Sequence, residues 1–204
     1  MDVGTIVTEG AGRVEQPGDR AELDLRFEGA GTDRASAVAA LGARMAAAAG
    51  ALEHPALKVR HRRLWVGTRW REDVVVGAQA VEHLDVVVTD VAALEEILAA
   101  LVAAEPAGLG GPRWTLADEA AARREAQKRA VADARDRAEG YADALGGTLG
   151  ALISLGDAGA HQPAPRMMAM AAREAAVPDV RDLGLEPEPV EVTARCTATW
   201  ELLT

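Results

Sequence analysis

Cysteine is almost absent. Cys196 is the only one in 204 residues, which excludes an intramolecular disulfide and a cysteine-based zinc cluster. Aromatic residues make up 3% of the chain, so its core must rest on Val, Leu and Ala with a few Trp anchors. Lysine is confined to Lys58 and Lys128, and the positive charge is otherwise arginine, as GC-rich coding would give. No apolar run approaches the ~18 residues that span a bilayer, and the amino terminus has neither a basic n-region nor an apolar h-region. A cytoplasmic location without membrane contact is the expectation. The histidines His54, His61, His83 and His161 lack ligand spacing. Ser36 and Ser154 stand outside any G-x-S-x-G elbow. Gly108-Leu109-Gly110-Gly111 runs into Pro112-Arg113-Trp114 with no Lys-Ser/Thr, so a helix-to-strand turn is expected there and a phosphate loop is not. The acidic pairs Glu95-Glu96 and Asp118-Glu119 fall on helix surfaces or starts, where solvation and capping account for them. No catalytic residue, cofactor or metal ligand follows from these patterns.

Present in quantity is apolar side chain, 49% of the residues, enough to bury a sizeable core in one domain over 1–204 or in two joined parts, 5–89 and 90–203. The formal net charge of −10, with pI near 4.9, disfavours general attraction to nucleic acid or to an anionic membrane. One stretch organises the rest. From Asp118, a plausible N-cap, to Gly146-Gly147, a left-handed stop, the sequence reads as one helix over about 119–145. At 1.5 Å per residue it is ~40 Å long. Ala126, Ala130, Ala134, Ala138 and Ala142 recur every fourth position, with Val131, Tyr141 and Leu145 beside them. A stripe of alanine lets a helix lie close to what it covers.

Taken in order, Thr5 to Val14 and Ala21 to Glu28 read as strands, joined as a hairpin through Gln16-Pro17-Gly18-Asp19. Thr32 can cap a helix carrying Val38, Leu41, Met45 and Leu52, which breaks at His54-Pro55. Two more strands follow, Leu57 to Trp70 and Val74 to Thr89. Asp90 caps a helix with the stripe Leu94, Ile97, Leu98 and Leu101. A brief strand around Pro112 to Leu116 leads into the long helix, and Thr148 to Leu155 leaves it. Residues 157–189 are rich in Pro and Ala and are expected to form a mobile excursion. The last strand alternates Val190, Val192, Ala194, Cys196, Ala198, Trp200 and Leu202 with polar residues, and should sit inside a sheet with Cys196 pointing inward, unreactive. The order of elements predicts an α+β fold, largely antiparallel sheet covered by helices.

Against the acidic background, Lys58, Arg60, His61, Arg62, Arg63, Arg69 and Arg71 cluster with Trp65 and Trp70. Alternation puts Lys58, Arg60 and Arg62 on one strand face. Arg60, Arg62, Arg63, Trp65, Arg69 and Trp70 could grip an acidic partner or single-stranded nucleic acid by charge and stacking. A solvated face paired with acids of the same or a neighbouring subunit is the favoured reading. Met167 and Met168, with Met170, offer an adaptable apolar contact to a partner.

Four stretches together resemble the SIMPL domain family of bacteria. VTEGAGRVEQPGDRAELDLRFEG is similar to its opening Gly-x-Gly-x-Val strand, turn and alternating strand, although Gly18 separates Pro17 from Asp19 where the family has Pro directly before Asp. GAQAVEHLDVVVTDVAALEEILAALVAA is similar to its valine-rich strand and aspartate-capped helix. RWTLADEAAARREAQKRAVADARDRAEGYADALGGTLGALISL matches its long helix and Ala-Leu-Gly exit, and PVEVTARCTATWEL its closing strand. The resemblance implies an α+β fold, self-association and no established catalytic centre, with family labels of kinase signalling and oxidative stress response. The leading expectation is therefore a non-enzymatic, homo-oligomeric scaffold or interaction protein. The alternatives are a small-molecule-binding or enzymatic domain with a pocket between the long helix and the sheet, or binding of nucleic acid or an acidic partner through the strand 58–71.

Overall fold

A computed structural model describes residues 4–158 and 184–204. The chain is α+β. Its strands are β1 (Gly4–Pro17), β2 (Arg20–Gly31), β3 (Leu57–Arg71), β4 (Val74–Val88), β5 (Gly108–Thr115), β6 (Thr148–Asp157) and β7 (Pro189–Leu203). Its helices are α1 (Arg34–Leu52), α2 (Leu94–Ala103) and α3 (Glu119–Ala144), with a single 3-10 turn at Val91–Ala93 before α2. The described residues fall into two compact units interleaved along the sequence. One comprises 4–16, 118–158 and 189–204; the other comprises 17–117 and 184–188. The stretches 5–89 and 90–203 each contribute to both.

The first unit is a three-stranded sheet in the order β1-β7-β6, with α3 against it. β7 is the central strand, as its unbroken alternation predicts, and Val192, Ala194, Cys196, Ala198 and Trp200 are buried. The long helix begins and ends where the sequence puts it. The Asp118 carboxylate accepts from the Ala121 amide at 2.8 Å, and Gly146 takes a left-handed φ of +73° while its amide and that of Gly147 bond back to Asp143 and Ala142. Six alanines in the every-fourth row, Ala122 through Ala142, are buried, whereas Tyr141 and Leu145 stand in solvent. A row of i, i+4 positions runs obliquely across a helix because four residues overshoot one 3.6-residue turn. Large side chains beside that row are left outside the contact.

Glycine on β1 makes the close approach possible. A Cβ at Gly10 would lie 1.9 Å from the Ala130 carbonyl oxygen, and one at Gly12 would lie 1.9 Å from that of Ala126. Between and beside them the Ala11 amide donates to Asp133 at 2.9 Å, the Thr8 hydroxyl donates to the Ala134 carbonyl at 2.7 Å, and Arg129 donates to the Arg13 carbonyl at 2.8 Å. Trp200 completes the set by donating its indole N–H to Thr8 Oγ1 at 3.3 Å. The Gly-x-Gly-x-Val opening is thus a helix-seating surface.

The second unit is a four-stranded sheet in the order β3-β4-β2-β5. Strand β2 pairs antiparallel with both β4 and β5. The hairpin expected between β1 and β2 does not form, because the two strands belong to different sheets. The connection is held instead by the Gly18 amide donating to Glu188, the Asp19 amide donating to Thr115, and the Asp19 carboxylate accepting from the Ala117 amide at 2.6 Å. Gly18 is required there because a Cβ would meet the Trp114 side chain at 2.7 Å. Leu23, Leu25 and Phe27 face Val86, Leu84 and Glu82 across the pairing, on the side covered by α1 and α2.

Four local expectations are corrected. Helix α1 is capped by Asp33, not Thr32: the Asp33 carboxylate accepts from the Ser36 amide at 2.8 Å while Ser36 Oγ accepts from the Asp33 amide at 3.1 Å. Of the expected stripe Leu41 is buried and Met45 and Leu52 pack against the core, joined by Ala37, Ala48 and Ala51, whereas Val38 is exposed, because Gly29 and Gly31 let the helix seat on β2 through its small residues. Residues 108–111 are not a turn but the first half of β5, paired with Asp24, Leu25 and Arg26 of β2. Against the expectation that no apolar run nears the length of a bilayer span, α1 is long and apolar enough to cross a membrane by length and composition alone, with a mean hydropathy of 1.4 over 18 residues. Alanine supplies that apolarity, and the stripe is part of the core of this sheet.

Candidate functional site

The basic cluster lies on β3, the edge strand of the four-stranded sheet. Its placement follows from the strand's own irregularity. Lys58 pairs with Val87 and Val59 with Val86, but His61 pairs with Asp85, so Arg60 is an extra residue in a bulge. A bulge shifts which side chains share a face. Arg60 therefore reaches Glu22 on the open face, with Nη1 to Oε1 at 3.1 Å, while Arg62, opposite the buried Leu84, falls on the face that holds the core. The expected row of Lys58, Arg60 and Arg62 on one face is not made.

Arg62 instead meets Glu82, which is 5% exposed and sits opposite the fully buried Phe27. The hydrogen bond from the guanidinium to this carboxylate is what pushes the Arg62 pKa further up. Glu82 escaped the sequence reading, yet it left a signal. It occupies the inward position of the alternation Ala78, Ala80, Glu82, Leu84, Val86, Val88, where a carboxylate needs a partner.

On the open face the charges are set in rows across the strands. Glu22 is shared by Arg60 and by Arg113 of β5. In the next row Asp24 stands opposite Asp85, and Asp85 opposite His61. These two rows line a cleft of about 220 Å³. Like charges directly opposite destabilise a sheet, and Arg60 and Arg113, both paired with Glu22, moderate the repulsion of the three carboxylates. Further along, Arg26 pairs with Glu28, which also accepts from Gln79 at 2.8 Å.

Of the other residues singled out, Arg63 stands opposite His83 and Trp65 opposite Val81 on this open face. The Trp65 ring lies over Gly67, where an added Cβ would meet it at 2.2 Å. Arg69 follows on the same side of the alternation. A second bulge then intervenes, and Trp70 pairs with Val75 near the hairpin tip. The tip is a two-residue turn in which Glu72 and Asp73 both have positive φ, as the twist of a tight hairpin requires. Met167 and Met168 lie outside the described residues, as does most of the Pro/Ala-rich excursion.

A second feature bears on the alternative function. Gln127, Ala130 and Val131 of α3, with residues of β6 and β7, line an open cleft of about 390 Å³ in the first unit. Its polar lining includes Asp157, Arg195 and Cys196. The thiol is buried, and that burial pushes its pKa up, away from the thiolate a nucleophile would need. Among the described residues no group of His, Cys, Asp and Glu side chains is disposed to hold a metal ion.

A family model described as SIMPL, protein of unknown function (DUF541), matches residues 6–200. The chain belongs to the SIMPL family. Among curated proteins none matches it. The SIMPL match extends over both units, from the glycine-bearing β1 to the central β7.

Proposed function

We propose that this SIMPL protein works without catalysis, as a self-associating scaffold or interaction module. The observation that carries this is the far end of the β3–β4 hairpin. Strand β2 stops pairing with β4 at Gly31 opposite Ala78, so residues 69–77 continue as a two-stranded ribbon, a marginal structure in water when alone. That ribbon holds Trp70 at 65%, Val74 at 63% and Val75 at 53% exposure. Contiguous apolar side chains of this size on an acidic protein mark a contact surface. Size-exclusion chromatography with light scattering, across micromolar concentrations, is the test. Assemblies larger than one chain, shifted toward monomer by Val75→Glu with Trp70→Glu, are expected; a strict monomer at every concentration would end the proposal.

The cleft between α3 and the strands β6 and β7 supports a second reading, a small-molecule site. Its size is that of a ligand pocket, and apolar walls with a few polar groups suit one. Ligand-dependent thermal stabilisation that is lost when Val131→Trp fills the cleft would favour this reading over the scaffold.

A further inference from the structure

We propose that the outer edge of β3 is a docking site for an extended acidic peptide of another protein, which adds to the sheet as a further strand. Strand β3 is 15 residues long and ends the sheet. Among the described residues nothing pairs with its outer side, so alternate amides and carbonyls along it are unpaired by protein, the template that strand addition uses. Residues 57–71 hold Lys58, Arg60, His61, Arg62, Arg63, Arg69 and Arg71, and no Asp or Glu. Arg60 and Arg62 are engaged by Glu22 and Glu82. Lys58, Arg63, Arg69 and Arg71 have no ion pair among the described residues.

The two bulges decide what an incoming strand would meet. Between them the alternation places Arg63, Trp65, Gly67 and Arg69 on one face, with the Trp65 ring over Gly67. An added strand with acidic side chains at alternate positions sets carboxylates beside Arg63 and Arg69 on one face and its apolar side chains beside the exposed Leu64 and the partly buried Val66 on the other, the opposite-charge and apolar pairs that stabilise neighbouring strands. A second copy of β3 does not fit this edge, because it would bring arginine against arginine. A nucleic acid fits less well than a peptide. It cannot use the row of backbone groups, it would stack on one ring, and it would approach a chain of net charge −10. The site adjoins the apolar ribbon and shares Arg69 with it, but strand addition along this edge does not require self-association.

The test uses the full chain and a fluorescein-labelled ten-residue peptide alternating Glu with Val, read by anisotropy at an ionic strength of ~50 mM. Two twins of the peptide are N-methylated on alternate amides, one in each frame. Saturable binding is expected, weakened at least about tenfold by Arg63→Glu with Arg69→Glu and unchanged by Arg123→Glu with Arg135→Glu on α3, the fold being checked by circular dichroism. One methylated frame should lose binding and the other keep it, since only one edge of the peptide faces β3. Absence of binding would overturn the proposal. So would equal behaviour of the two frames, or tighter binding of a fifteen-nucleotide single-stranded DNA. Light scattering on the same samples reports self-association independently, so failure of one proposal is not mistaken for failure of the other.

Discussion

Replacing Gly10 with Ala tests the packing of the first unit most directly, because strand propensity and helix seating predict opposite signs. Alanine is favoured over glycine in a strand by ~0.5–1 kcal/mol, so a β1 that merely paired with β7 would be stabilised. In the structure the new methyl would lie 1.9 Å from the Ala130 carbonyl oxygen, 2.7 Å from the Ala134 amide nitrogen and 2.8 Å from Ala134 Cβ. Ordinary contact begins near 3.4 Å, so the obstruction is about 1.5 Å, and it is backbone that cannot rotate away. Helix and strand would have to separate by an amount that removes much of the dispersion along the alanine row and breaks the Thr8 and Ala11 hydrogen bonds to α3. A loss of ~3 kcal/mol or more is expected, above the usual cost of an overpacked core. Urea unfolding followed by far-ultraviolet circular dichroism would show it as a midpoint lowered by ~1.5 M for a slope of ~2 kcal/mol/M. Gly140→Ala, on the same helix with nothing within 4 Å of the added Cβ, is the internal control and should gain up to ~1 kcal/mol. If Gly10→Ala were neutral or stabilising, the helix-on-glycine contact would be refuted.

Three further outcomes follow from particular contacts. Arg62→Ala strands the buried Glu82 carboxylate, whereas Glu82→Gln leaves a mostly exposed guanidinium that can turn to water; by chemical denaturation the first should cost ~2–3 kcal/mol and the second ~1 kcal/mol or less, and equal losses would contradict the burial asymmetry. The Asp33 pKa is lowered below 3.8, first by the Ser36 backbone amide and then by its side chain. A depressed folded value means that the cap's contribution is present above the unfolded pKa and lost as pH falls through the folded one; Asp33→Asn should keep the cap yet flatten the acid limb of stability against pH, and an unchanged limb would count against it. Cys196, buried and with its pKa raised, should react with a thiol reagent at pH 8 only as fast as the protein opens, so labelling as rapid as that of free cysteine would show the thiol to be accessible.

How far the sequence carried the fold depended on whether a residue's own period decided its place. β7 and α3 were legible because an unbroken two-residue alternation and an unbroken four-residue alanine row each specify a face without reference to partners. The β1–β2 hairpin failed because a Pro-Gly-Asp turn signals a change of direction, and the strand that leaves such a turn is free to join another sheet. The basic strand failed for a related reason. One extra residue at Arg60 moves every later side chain to the other face, so Arg62 went to Glu82 and the core side while Arg63 and Trp65 took the open face. Bulges leave no compositional trace in a run of arginines, but their consequences do. Glu82 at an inward position calls for a cation on the strand beside it: without the bulge Arg63 would stand opposite it, and with the bulge Leu64 does, so Arg62 reaches it diagonally from its place opposite Leu84. The same shift leaves Arg63, Trp65 and Arg69 aligned along an edge with no acid on its own strand, the arrangement the acidic-strand proposal rests on.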